Sequence, residues 1–129
     1  MLAVYSVFSC FYGLDQAQVR DSCGMVVDMM LSIALCTYNG ENYIVEQLES
    51  LSRQTLLPDE VVICDDGSLD ATVARIGEFA KKAPFFVRVF VNAKSLGTIQ
   101  NFSEAVGYCQ GDYIALCDQD DVWMPDKLA

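Results

Sequence analysis

Apolar and polar positions divide the chain near Met30. From Leu31 onward, short unbroken apolar runs alternate with longer stretches in which apolar residues recur every three or four positions. Runs of the first kind mark strands buried on both faces, and stretches of the second kind mark helices with one apolar stripe. The runs at 31–36 (L-S-I-A-L-C), 60–65 (E-V-V-I-C-D), 86–91 (F-V-R-V-F-V) and 112–117 (D-Y-I-A-L-C) predict four strands. A helix is predicted over about 41–53 after the Asn39-Gly40 turn, with Ile44, Leu48 and Leu51 inward. A second, over about 69–80, is to be capped by Ser68, charged in its first turn by Asp70, and turned inward at Leu69, Val73, Ile76 and Ala80. A third, over about 98–110, faces Ile99, Phe102, Val106 and Cys109 inward and stops at Gly111.

Strands separated by single helices give an α/β, Rossmann-like fold: an open, mostly parallel sheet with helices on both faces. Ligands of such sheets bind at the carboxyl ends of the strands. Four polar segments fall there: Thr37-Tyr38-Asn39-Gly40-Glu41, Asp65-Asp66-Gly67-Ser68, Asn92 to Gly97, and Asp118-Gln119-Asp120-Asp121. Ahead of this domain, residues 1–12 are apolar but too short to cross a bilayer and lack the basic start of a signal peptide, and 13–28 show no period. The expected organisation is a leader of doubtful order at 1–29 and a domain at 30–129, with Met29 or Met30 as the functional start.

Charge narrows the partners. Eighteen acidic against eight basic residues give a net charge of −10, which opposes binding to nucleic acid or anionic lipid. An acidic protein that binds a nucleotide must bring in a cation locally. The chain has no histidine, which excludes Ser-His and Cys-His triads within it. Its six cysteines form no C-x-x-C pair, and four sit in apolar runs, as buried thiols of a reduced cytoplasmic protein do; disulfides or a zinc site are the other reading.

Asp118-Gln119-Asp120-Asp121 places three carboxylates in four residues after a buried strand. Such charges repel unless a cation neutralises them, so a Mg²⁺ or Mn²⁺ bridging to a diphosphate is one explanation and a solvated acidic loop the other. An EF-hand does not fit, because Gly at position six and Glu at position twelve are missing. Trp123, followed by a helix starting at Pro125, would pin the loop. In Asp65-Asp66-Gly67-Ser68 one aspartate suffices for a turn, and the second suits a hydrogen bond to a base or ribose. Tyr38 either stacks on a base or is a half-buried aromatic.

Together, C-T-Y-N-G-E at 36–41, Q-T at 54–55, P-D-E-V-V-I-C-D-D-G-S at 58–68, G-x-x-x-N-F at 97–102 and G-D-Y-I-A-L-C-D-Q-D-D-V-W-M-P-D-K-L at 111–128 resemble the family 2 glycosyltransferases. The similarity runs from Leu31 to Leu128 and is strongest to bacterial members that build polysaccharide, some of which transfer rhamnose. It implies a GT-A fold, a nucleotide-diphospho-sugar donor (UDP- or dTDP-linked), a glycan or lipid-linked acceptor, and an inverting single displacement. By the same resemblance Tyr38 stacks on the base and Asp66 bonds it. Asp120 holds a Mg²⁺ or Mn²⁺ on the diphosphate, and Asp118 lies near ribose or metal. Thr37, Asn39, Glu41 and Asp65 complete the nucleoside pocket. The family's catalytic base belongs to a later acidic element, expected beyond Ala129, so this chain is expected to be a truncated, donor-binding part. The implied location is cytoplasmic, with peripheral contact at the inner membrane face through regions outside this chain as a further option. Asn101 stands where some relatives carry a basic side chain, which leaves the nucleotide open. A nucleotide- or metal-binding module without transferase activity is the alternative. An aspartyl-phosphate phosphotransferase would need D-x-D-x-[TV] after the first strand, which here ends in Cys36-Thr37.

Overall fold

The computed structural model describes residues 29–129 together with the backbone of 4–6, 18–20 and 26–28. Strands β4 (Leu31–Thr37), β5 (Glu60–Asp65), β6 (Phe86–Val91) and β7 (Tyr113–Asp118) form a parallel sheet in the order β7-β4-β5-β6. Strand β1 (Val4–Ser6) adds to the outer edge of β7 in antiparallel sense. Strands β2 (Gln18–Arg20) and β3 (Val26–Asp28) make a separate antiparallel pair. Helices α1 (Ile44–Ser52), α2 (Thr72–Ala80) and α3 (Thr98–Tyr108) fill the crossovers.

The side chains of β4 sort by the period of two that a pleated strand imposes. Ile33 and Leu35 join Ile44, Leu48 and Leu51 of α1 and Ile76 and Phe79 of α2 in one core layer. Ala34 and Cys36 point the other way, where Cys64, Ile114 and Ala105 of α3 form a second layer of mostly small side chains. Both faces of β4 and β5 are therefore covered, whereas the edge strand β6, expected to be buried from its apolar run, leaves Phe86, Val89 and Val91 exposed. Register then sets the functional edge: Thr37 pairs with Asp65, Cys36 with Asp118, and Asp65 with Val91, so all four strands finish level.

The opposite edge is braced by a buried carboxylate. Glu60 accepts from Ser32 Oγ at 2.7 Å, the Gln110 amide at 2.6 Å and Arg88 Nη1 at 3.2 Å. Burial alone would raise its pKa, but these donors outweigh it and hold the carboxyl below its ordinary value. Gly111 belongs to the same knot, since a Cβ there would lie 2.5 Å from Ser32 Oγ and 2.7 Å from the Met30 carbonyl oxygen.

Several sequence expectations are corrected. Ser68 does not cap α2: the helix begins at Thr72 after Ala71. The Ser68 amide and hydroxyl both donate to Asp65, and Leu69, expected inward, is 93% exposed outside the helix. Helix α1 likewise begins at Ile44, because 41–43 form a turn whose Tyr43 and Ile44 amides both donate to the Gly40 carbonyl. In α3 the side facing the sheet carries Asn101 and Ala105, which rotates Ile99 away to 89% exposure. No helix starts at Pro125, where the chain makes a turn instead. Trp123 is nevertheless the expected anchor, buried with its amide on Ser50 Oγ and Lys127 over its ring at 4.5 Å.

Cys36, Cys64, Cys109 and Cys117 are free thiols, and Cys10 and Cys23 lie outside the described side chains. Burial pushes Cys64 and Cys109 up to about 11 and raises Cys36 and Cys117 as well, so none of the four is a thiolate at neutral pH. Among the described residues no helix is long and apolar enough to cross a membrane.

Candidate functional site

The loops leaving β4, β5, β6 and β7 enclose a cleft of about 470 Å³ at the carboxyl edge of the sheet. Of the residues singled out from sequence, Thr37, Tyr38, Asp66, Asp118 and Asp120 line it. Tyr38 stands at 49% exposure with its ring available to a flat ligand. Asp118 and Asp120 are exposed, and Asp118 Oδ1 accepts the Gln119 amide at 2.9 Å.

Asn39, Glu41 and Asp65 do not line the cleft. They stitch the loop after β4 to the loop before α2. Asn39 takes a left-handed φ of 46°, which its short polar side chain tolerates. Its Oδ1 accepts the Leu69 amide at 2.9 Å, and its own amide donates to Ser68 Oγ at 2.8 Å. Glu41 accepts the Ala71 amide at 2.8 Å, satisfying a donor at the start of α2 that the Ser68 cap was expected to serve. Gly40 and Glu41 donate in return to Thr72 Oγ1 at 2.9 Å and Asp70 Oδ2 at 3.1 Å. Asp65 is fully buried and accepts from Thr37 Oγ1 at 2.8 Å and from Ser68.

Asp66 has a different neighbourhood. It accepts from Asn92 Nδ2 at 2.9 Å, Ser95 Oγ at 2.7 Å, the Leu96 amide at 2.7 Å and the Gly97 amide at 3.0 Å. Burial opposes its ionisation, but the four donors prevail and hold its carboxyl at about 2. The loop at 92–97 is thereby wrapped around one carboxylate. Gly97 completes the wrap with a φ of 88° before α3 begins, a conformation open to glycine at no steric cost.

Sequence reasoning assigned no individual role to Ser95, Thr98 or Gln119, which line the cleft together with Asn101, read as a position bearing on the nucleotide, and Phe102, read as an inward helix position. Asn101 is buried, donates to the Cys64 carbonyl at 2.8 Å and accepts from Asn92 at 2.9 Å. The signal available was position alone: each polar residue follows a strand end or opens the next helix.

A parallel sheet covered on both faces, with a polar cleft across its carboxyl edge, defines this chain as an α/β protein of the GT-A, Rossmann-like fold. The chain belongs to glycosyl transferase family 2, whose family model matches residues 32–129. Among curated relatives it is 32% identical over 101 residues to the Escherichia coli UDP-Glc:alpha-D-GlcNAc-diphosphoundecaprenol beta-1,3-glucosyltransferase WfgD, covering 78% of this chain and 39% of that enzyme. Among solved structures, Staphylococcus aureus TarS residues 1–349 in complex with UDP superposes with a TM-score of 0.70 at 30% identity, over 78% of this chain and 30% of that one. The Pyrobaculum calidifontis mannosyltransferase PcManGT, in complex with GDP-Man and Mn²⁺, shares the fold with a TM-score of 0.68 at 23% identity, over 74% and 28% of the two chains. The chain spans 39% of the length of WfgD, 29% of mycobacterial relatives to which it is 41% identical, and 14% of the Escherichia coli chondroitin synthase.

Proposed function

We propose that this chain is the donor-binding part of an inverting, metal-dependent glycosyltransferase that takes a UDP- or dTDP-linked sugar and acts in cell-surface polysaccharide synthesis. The observation that carries the reading is the meeting of Tyr38, Asp66, Asp118 and Asp120 around one cleft at the carboxyl edge of the sheet. The UDP in TarS and the UDP-Glc in the name of WfgD support the donor class. Tyr38 offers a face for the base, Asp118 offers oxygens for the ribose, Thr37 backs the nucleoside pocket with its hydroxyl held by Asp65, and Asp66 bonds the base edge. Asp66 already accepts four hydrogen bonds, about as many as a carboxylate's lone pairs allow. A base N–H therefore reaches it by displacing one of the loop's donors. Asn39, Glu41 and Asp65 serve this pocket through the loops they hold.

The donor set also fits a divalent cation. Asp118 and Asp120 are exposed carboxylates with hard oxygens, and both line the cleft. Mg²⁺ and Mn²⁺ suit such a site, because hard cations bound by one or two carboxylates complete their shell with phosphate oxygens and water. Bound there, the cation would neutralise charge on the leaving diphosphate. The carboxylates of this chain would hold it and, once neutralised, would cease to repel the donor. The acceptor is a hydroxyl of a glycan or lipid-linked glycan, whose proton would be taken by a carboxylate other than those of this cleft, and any membrane contact would be made by regions outside this chain.

Calorimetry with UDP and with dTDP, with and without Mn²⁺, tests the reading. Binding of at least one nucleotide is expected only with the metal, and Asp120→Asn is expected to remove it. Equal binding without metal would sink the cation site, and no binding of either nucleotide would sink the donor site.

A further inference from the structure

Gln119 lies between the two aspartates of the acidic loop, and its side-chain amide faces the backbone of Tyr38. The Tyr38 amide donates to Gln119 Oε1 at 2.8 Å, and Gln119 Nε2 donates to the Tyr38 carbonyl at 3.1 Å. One planar group thus mimics a rung of an antiparallel ladder and joins two loops 81 residues apart in sequence. Only a primary amide offers a donor and an acceptor at this spacing on one side chain, and Asn would fall a methylene short. Gly40 leaves room for it. A Cβ on Gly40 would lie 2.2 Å from Gln119 Oε1 and 2.6 Å from Gln119 Cδ. The glycine is required there for space, since its backbone is outside the left-handed region.

We propose that Gln119 is a positioning residue that fixes the spacing between the two walls of the cleft, the loop carrying Tyr38 and the loop carrying Asp118 and Asp120. Its effect on ligands rests on the reading of the cleft as a nucleotide site. A ligand that touches both walls then meets them already set, and avoids the ordering cost that loose loops would impose. A ligand touching one wall gains nothing from the clamp. Gly40→Ala acts on the same joint from the other side, because the added methyl can be accommodated only by swinging the flexible Gln119 side chain off Tyr38.

The test compares wild type, Gln119→Ala, Gly40→Ala and the double variant by three measurements: amide hydrogen exchange at Tyr38, UDP affinity in Mn²⁺, and thermal midpoint. Exchange at Tyr38 should accelerate in both single variants. UDP affinity should fall several-fold in each, because a wall no longer held in place must be ordered when the ligand binds. The thermal midpoint should fall by roughly 5–10 °C, as the loss of hydrogen bonds formed in the free chain requires, and the double variant should bind no more weakly than either single one. Gln119→Glu keeps the acceptor but loses the donor, and should fall with Gln119→Ala. Unchanged exchange at Tyr38 overturns the proposal, as do unchanged UDP affinity or additive losses in the double variant. If the wild-type chain binds dTDP and not UDP, the affinity comparison is made with dTDP; if it binds neither, the nucleotide reading fails by itself, and the exchange measurement alone upholds or overturns the clamp.

Discussion

A carboxylate that accepts four hydrogen bonds is stabilised by them only while it is ionised. Asp66, held at about 2 against an ordinary 3.8, therefore links loop 92–97 to pH. Because its folded pKa is depressed, the stabilisation is complete above the unfolded value near 3.8 and is lost as pH falls through about 2. The difference is on the order of 2 kcal/mol. Chemical denaturation followed between pH 5 and pH 2 should show this loss. Asp66→Asn should start about 2 kcal/mol lower at neutral pH and have a shallower acid slope. Glu60, also held below its ordinary range, contributes a slope of its own that the variant keeps. An equally steep acid limb in Asp66→Asn would show that the four bonds do not depend on the charge. At this scale the sequence is ambiguous where the structure is not. Asp65 and Asp66 are adjacent and chemically identical, yet strand alternation sends them to opposite surroundings, one buried against Thr37 and Ser68 and the other onto the cleft. Nothing in the local pattern tells which donors each will find, because Asn92 and Ser95 arrive from a different crossover.

Elements were legible to the extent that burial decides them. The four parallel strands stand within a residue of their sequence boundaries: the apolar runs of β4, β5 and β7 are largely buried, whereas β6, at the sheet edge, keeps its strand although Phe86, Val89 and Val91 are exposed. Helix starts were less legible, because capping depends on tertiary partners. Ser68 has the chemistry of an N-cap, but Asp65 captures its hydroxyl and amide, and Glu41 from another loop reaches the Ala71 amide instead. Leu69 and Ile76 test the resulting phase of α2. Ile76 is fully buried in the α1–α2 layer and Leu69 is 93% exposed, although sequence periodicity put both on one face. Ile76→Ala should cost roughly 2–5 kcal/mol through lost burial and the cavity left behind, whereas Leu69→Ala should stay within about 0.5 kcal/mol. Urea denaturation measures both, and a large loss in Leu69→Ala would mean that the helix begins earlier than Thr72.

For the whole molecule, the question is which part of the chain is needed for a self-sufficient fold. Among the described residues both core layers draw on positions from Ile33 onward, and the backbone joins at Met30 and Leu31 tie the start of β4 to Asp112 and Asp59. Against this, β1 pairs three residues of the leader with Tyr113, Ile114 and Ala115 at the outer edge of β7. We propose that residues 1–29 are a leader separable from the domain at 30–129, with β1 acting as a cover for that edge. A three-residue edge pairing contributes little beside the two core layers formed from Ile33 onward, so deleting 1–29 should move the thermal midpoint by less than about 5 °C, on the order of 1 kcal/mol. The exposed edge of β7 is the more sensitive reporter. An unpaired strand edge is a template for another chain, so the deletion variant should self-associate more readily at high concentration than the full chain, as seen by light scattering. A midpoint drop well beyond 5 °C would mean that the leader packs as part of the core. A stable variant that remains monomeric at every concentration would mean that β1 does not cover the edge.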